Sequence, residues 1–441
     1  MGLSQKIKRI IPYTYRISEY TFIIYFFALS FYPFDSDVFR LMCLLVVASC
    51  WILRMVSEKK LLFVKTSLNI PICAFLICSL LASLYSVSRK DSLHTLWDDY
   101  LMYFVLFFFM VNTIQGAEQV RRIIKTMLII CGLVCAYGLY GYYSGIAIYA
   151  GRLVATFEYH SRIAKYISLL LPVAICLFFY YKDFWNRFYL ILFMCVCGFS
   201  LILTMNRTSW VAIFIVIFFI SFAVRKKYIA YIFAGLCVVL ICVLPSRYIS
   251  HAKTVVQVKD YFKSEKIIGE RLLCWKASLE MIKDHPILGI GIGSRVFRNA
   301  YQKYGLEIKG EETQQKKEVN QVKQKKDKTE KKVKPKKVDK LSHSHNILLS
   351  ICVSTGIIGL MVFLWLFATV FYKAITTWLS LPEGYEKALL LGITASLITI
   401  FMHGMTDSFW KKPDALFLWY VIGLLFVIVR NEKSTVTKIS L

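Results

Sequence analysis

The chain has 441 residues, of which 57% are hydrophobic and only 18% charged. A water-facing shell needs about a quarter charged residues, so a soluble globular protein of this size is excluded and lipid must solvate most of the surface. Lys and Arg number 54 against 27 Asp and Glu, a net charge of +27; the excess lies between apolar segments, where insertion rules and anionic membrane lipids account for it, and no nucleic-acid partner is expected.

A helix needs about 20 apolar residues to cross the hydrocarbon. Stretches near 20–34, 38–56, 68–87, 98–114, 122–143, 164–181, 188–205, 209–224, 228–245, 347–371, 387–403 and 415–429 approach or meet this, so the chain reads as an all-α polytopic bundle of about twelve spans. No small-residue cleavage site follows the first apolar stretch, which reads as an uncleaved span. The spans divide the chain into an N-terminal membrane region (1–245, about nine spans), a large loop (246–346) and a C-terminal membrane region (347–441, about three spans).

Orientation follows from the basic residues. With the N-terminus cytoplasmic, the cytoplasmic ends collect Lys6, Lys8, Arg9 and Arg16, then Arg54, Lys59, Lys60 and Lys65, then Arg121, Arg122 and Lys125, then Arg225, Lys226 and Lys227. The opposite short loops balance their bases with acids. Both termini are therefore expected inside and the large loop outside.

Eleven of the thirteen cysteines fall in apolar runs, where a thiol behaves as a small hydrophobe; only Cys274 and Cys352 lie in or beside the loop. The sequence gives neither a disulfide framework nor a metal cluster.

Within the loop, Leu272, Trp275, Leu279 and Ile282 recur at helical spacing and predict an amphipathic helix at the membrane surface. His285-Pro286 ends it, and Gly289, Gly291 and Gly293 make a tight turn that lacks the strand and spacing of a nucleotide-binding loop. The segment 311–340 holds 12 lysines and 6 acids with no apolar face. It is expected to be disordered or a loosely helical excursion.

Polar groups at the edges of spans are the informative ones. Arg207, in LTMNRTSW, either snorkels to headgroups or binds an anion. Arg271 opens the amphipathic helix, one turn before Trp275, and two guanidiniums on one side of the membrane suit a diphosphate leaving group. His343 and His345 precede the next span; placed in a helix they diverge by about 200°, so only one need face a site. His345, beside Asn346, could accept a proton from a hydroxyl near neutral pH or be an interfacial histidine without chemistry. No third ligand accompanies the pair, so no metal is expected. Arg152, Glu158, His160, Arg162 and Lys165 cluster in GRLVATFEYHSRIAK, and His403 and Asp407 begin the last external loop. Arg152, His160, Arg162, Trp275, His343, Asn346 and His403 are candidate contacts to a sugar or headgroup.

The order of these features, N-R-x-x-W at Arg207, R-x-x-x-W at Arg271, H-P-x-x-G-x-G at His285, H-N-x-x-L at His345 and G-x-x-G at Gly356, resembles the O-antigen ligase and polymerase superfamily. The resemblance covers residues 201–360. It implies transfer of a glycan from undecaprenyl diphosphate to an acceptor hydroxyl at the outer face of the bacterial inner membrane, inverting and without cofactor or metal. Arg207 and Arg271 would hold the diphosphate and His345 would activate or steer the acceptor, which is lipid A-core, protein or glycan for a ligase and another lipid-linked repeat for a polymerase. Asn206 stands where serine is common, and the lysine-rich insertion is a second departure. A lipid-linked oligosaccharide flippase or transporter is the competing reading, and it lacks the internal repeats that class would show.

Overall fold

The computed structural model describes residues 3–31, 36–225, 267–323 and 341–439. The expected span at 228–245, the start of the large loop and residues 324–340 of the lysine-rich segment lie outside the described residues. The rest is helical: α1 (Leu3–Ser30), α2 (Asp37–Glu58), α3 (Asn69–Leu84), α4 (Arg89–Thr95), a π turn (Leu96–Tyr100), α5 (Leu101–Thr113), α6 (Ala117–Tyr143), α7 (His160–Tyr180), α8 (Phe184–Leu203), α9 (Arg207–Ala223), α10 (Ile267–Asp284), α11 (Ser294–Lys323), α12 (Ile347–Ser380), α13 (Tyr385–Gly404) and α14 (Asp414–Ile439). One small hairpin, β1 (Ile148–Tyr149) with β2 (Arg152–Leu153), sits between α6 and α7.

Among the described residues seven helices, α2, α6, α7, α8, α12, α13 and α14, are long and apolar enough to cross a membrane. Two further apolar helices, α3 and α9, are shorter, with 16 and 17 residues. Polar residues in the hinges set the boundaries. Ser36, Asp183 and Asn206 each cap the following helix, accepting from the backbone N–H groups of Phe39, Asn186 and Ser209, which satisfies donors that lipid could not.

The C-terminal helices pack among the N-terminal ones. Gly392 of α13 lets that helix touch the α7 backbone, since a Cβ there would lie 2.7 Å from Val173 Cα. In α14, Trp419 and Tyr420 are wholly buried. Trp419 meets Phe104 of α5 edge-on at 4.7 Å, and the Tyr420 hydroxyl donates to the Phe22 carbonyl at 3.0 Å.

The α10 helix carries two apolar faces. The one with Leu272, Trp275 and Leu279 is exposed, while Leu273, Cys274, Ala277 and Met281 form a small core with Val296, Phe297 and Tyr301 of α11 and Val353 of α12, and Ile282 packs against it. Gly356 breaks α12 at φ 67 and ψ −171. The break frees backbone groups that pair with the glycine turn: Ile290 N–H donates to the Val353 carbonyl at 2.9 Å, Gly291 N–H to the Ser354 carbonyl at 3.1 Å, and Ile357 N–H to the Pro286 carbonyl at 2.9 Å. A Cβ at Gly356 would collide with the Ile287 carbonyl. The lysine-rich segment is helical as far as Lys323, where α11 ends.

Candidate active site

Residues 341–346, the connection into α12, hold both histidines. They are not helical: His345 takes φ 53, and the two rings face each other with centroids 4.2 Å apart. The expected divergence is therefore overturned, because the segment turns back on itself before α12 begins. Asn346 makes that start, its Oδ1 accepting from the N–H groups of Leu348 and Leu349 at 3.0 and 3.1 Å. The α10 helix holds the segment from the other side, with Trp275 Nε1 donating to the Ser344 carbonyl at 2.9 Å and Cys274 Sγ to the His343 carbonyl at 3.5 Å. Asn346 and Trp275 thus position the histidines.

Asp407 joins them. Its Oδ1 lies 2.8 Å from His343 Nε2 and 3.7 Å from His345 Nδ1, and its Oδ2 lies 3.2 Å from Lys165 Nζ. Lys165 is 6% exposed, and it also pairs with Asp414 and donates to the Ser408 carbonyl at 3.3 Å. A lysine in the first turns of a membrane helix is held there by two carboxylates in place of water. Lys411 closes the other side, donating to His343 Nδ1 at 2.9 Å and to Ser342 Oγ at 2.8 Å.

These partners fix protonation. Burial pushes His343 down to about 4, and the Lys411 ammonium adds to this, while the Asp407 carboxylate only partly offsets it. At neutral pH His343 is uncharged, with its proton on Nε2 facing Asp407 and its Nδ1 lone pair facing Lys411. Burial works against the Asp407 charge, yet Lys165 and the bonds from the two histidines hold the carboxyl well below its ordinary range. Burial likewise lowers Lys411 to about 8. His345 is the member with a ring nitrogen to spare: its Nδ1 faces Asp407, and Nε2 meets no partner among the described residues.

The arginines lie at the same end of the bundle. Arg207 is the first residue of α9, and its neighbours tie that helix start to the segment before Asp407: Thr208 Oγ1 lies 2.8 Å from Thr406 Oγ1 and Ser209 Oγ 3.0 Å from His403 Nε2. His403 is 2% exposed and also lies 3.3 Å from Ser168 Oγ, so it joins α13 to α9 and α7 instead of facing the open loop. Arg271, half-buried one turn before Trp275, makes no ion pair among the described residues. Arg152 Nη1 lies 2.8 Å from His160 Nε2 at the mouth of α7, and Arg162 pairs with Glu158 at 2.9 Å. The geometry brings the two histidines, Trp275 and Asn346 into one hydrogen-bonded assembly, and leaves the arginines around it.

Lys411 and Asp414 carry no mark in the sequence, where KKPD reads as a charge-balanced loop. A lysine inside an apolar run, Lys165, is the signal that calls for acidic partners. The expectation that no third ligand accompanies the histidines is overturned: donor atoms of His343, His345 and Asp407 lie within 4.8 Å of one another, as metal ligands do. The same spacing joins buried Cys131, Cys135 and Cys197, with Sγ separations of 4.0 Å from Cys131 and 3.8 Å from Cys135 to Cys197.

The fold and the site together describe a polytopic helical membrane protein with a titratable cluster at one end of its bundle. Residues 192–364 match the family described as O-Antigen ligase. No curated protein matches the chain. The matched segment contains Arg207, Arg271, Trp275 and both histidines; Lys165, Asp407, Lys411 and Asp414 lie outside it.

Proposed function

We propose that this chain transfers a glycan from undecaprenyl diphosphate to an acceptor hydroxyl at the outer face of a bacterial inner membrane, as an inverting O-antigen ligase. The observation that carries this reading is the His343–Asp407–His345 cluster, built partly from the matched segment and flanked by Arg207 and Arg271. In the proposed step the acceptor oxygen attacks the anomeric carbon as its proton passes to His345 Nε2. The bond from that carbon to the diphosphate oxygen breaks, and the electron pair leaves with undecaprenyl diphosphate. Direct attack inverts the anomeric centre. Asp407, 3.7 Å from His345 Nδ1, stabilises the imidazolium that forms.

The diphosphate gains negative charge as it departs. Arg271 and Arg207 supply forked donors for it, and the N-terminus of α9 adds its own positive end. The reading is metal-independent because Asp407, the carboxylate between the histidines, is already paired with Lys165, and Lys411 occupies His343 Nδ1. Placing this end outside agrees with the opposite end, where Arg54, Arg122 and Arg430 gather, as cytoplasmic ends require. A polymerase would share this chemistry and differ in its acceptor, a second lipid-linked repeat.

The reading is tested with purified protein in lipid nanodiscs, undecaprenyl-diphosphate-linked glycan and candidate acceptors. Coupled product is expected from the wild type, and Arg207→Ala, Arg271→Ala and His345→Ala should each lose it while remaining folded. Normal turnover by both arginine variants would remove the diphosphate clamp, and analysis of the product separates ligase from polymerase.

A further inference from the structure

Beside His343 lies a cleft between the end of α4 and the π turn, the start of α11, the start of α12 and residues 408–411. His343 lines it; His345, Arg207 and Arg271 do not. Six Ser or Thr side chains face it, together with the rings of Tyr100, Phe297 and Trp410. Of its fourteen lining residues only Asp99 and Lys411 carry a full charge.

Two features mark the cleft as a binding surface. Asp99 and Tyr100 are the last residues of the π turn that interrupts the helical run from Arg89 to Thr113, and such interruptions cluster at functional sites because they re-aim side chains. The polar groups are also only partly committed. Asp99 gives Oδ1 to Lys412 at 3.0 Å, leaving Oδ2 to accept, and the hydroxyls of Ser294 and Ser354 have no partner among the described residues.

The chemistry sorts possible ligands. A phosphate or carboxylate entering here would meet the Asp99 carboxylate, and the one cation in the lining, Lys411, already donates to Ser342 and His343. A pyranose ring suits the cleft better: its hydroxyls match carboxylate and serine partners, and its C–H faces match the aromatic rings. The diphosphate belongs with the guanidiniums of Arg207 and Arg271, which do not line this cleft.

Resting on the glycosyl-transfer reading above, we propose that this cleft is the acceptor subsite and that the ring it receives is an uncharged sugar. His343 lines this subsite and its ring packs against that of His345, with centroids 4.2 Å apart, so the acceptor hydroxyl reaches the base at the edge of the histidine pair.

The test uses the full chain in nanodiscs with two kinds of probe: undecaprenyl diphosphate, and a panel of methyl glycosides (glucose, galactose, mannose, N-acetylglucosamine and anionic glucuronic acid) followed by saturation-transfer NMR. Two fillings from different helices, Ser354→Leu and Ser294→Trp, are compared with Asp99→Asn, each checked for folding by thermal melting. At least one neutral glycoside should bind the wild type, at least about tenfold tighter than the glucuronide. Each filling should weaken it by about tenfold or more, with undecaprenyl diphosphate affinity unchanged. Retained sugar binding in both fillings, a wild type that binds no sugar or prefers the anionic one, or loss of undecaprenyl diphosphate binding on filling would each overturn the subsite. Sugar binding that responds to the fillings in a protein that binds no undecaprenyl diphosphate would instead strike the transfer reading and with it the acceptor role.

Discussion

The two ends of this bundle hold similar residues and use them differently. At the end where the α5–α6 connection lies, Arg54, Arg122 and Arg430 are committed to structure. Arg430 donates to the carbonyls of Val111 and Ile114 at 2.6 Å each, closing the C-terminus of α5. Arg122 grips Glu19 with two bonds of 2.6 and 2.8 Å, and Arg54 is wholly buried over the Tyr15 ring. At the opposite end Lys165 and both histidines converge on one carboxylate, and Arg271 engages none of the described residues. Spent cations hold helices together, whereas uncommitted ones are available to a ligand.

That contrast can be broken most severely at Asp407. Asp407→Ala removes the acceptor common to both histidines and leaves Lys165 with Asp414 alone. We expect transfer to fall by about 100-fold or more, with stability lowered by about 3 kcal/mol as a buried pair is broken, read from turnover and from thermal melting of the same preparation. Next in size is a paired experiment. Arg430→Ala should strand two helix-end carbonyls and cost about 1–3 kcal/mol of stability, with turnover per folded molecule unchanged. Arg271→Ala should do the opposite, losing about tenfold or more in turnover with an unaltered melting temperature. If both variants lose stability alike, the distinction between the ends fails.

Acid sharpens the same contrast. His343 sits at about 4 in the folded protein against an ordinary value near 6.5. Between those values the unfolded chain binds the extra proton, so stability should fall as pH drops from about 6.5 to about 4, by on the order of 3 kcal/mol. His343→Gln should flatten that slope in pH-dependent melting. The smallest effect belongs to Lys411, lowered to about 8: transfer should decline above about pH 8 as the ammonium facing His343 is lost, and Lys411→Arg should extend the plateau upward.

Much of this was legible in the sequence. Apolar run lengths give the helices, the capping residues Ser36, Asp183 and Asn206 stand at their hinges, and the ordered arginine, glycine and histidine motifs mark the matched domain. Three things resisted reading. Whether α10 buries its Leu272 or its Leu273 face depends on α11 and α12, since both faces are apolar and only packing against those helices chooses between them. The role of Gly356 depends on the turn at Gly289 and Gly291, more than sixty residues earlier. The convergence of Lys165, His343, Asp407 and Lys411 is a property of three distant segments, and only the oddity of a lysine within an apolar helix signals it. Periodicity reports local structure; a charge cluster assembled by tertiary packing leaves no local pattern.

The claim at the centre of this account is that His345 takes the acceptor proton while the arginines hold the donor. It is tested most directly by His345→Ala in nanodiscs, measuring undecaprenyl diphosphate affinity and single-turnover transfer on one preparation. The account predicts donor affinity within about twofold of wild type and a transfer rate reduced by about 100-fold or more. Transfer at the wild-type rate would contradict it.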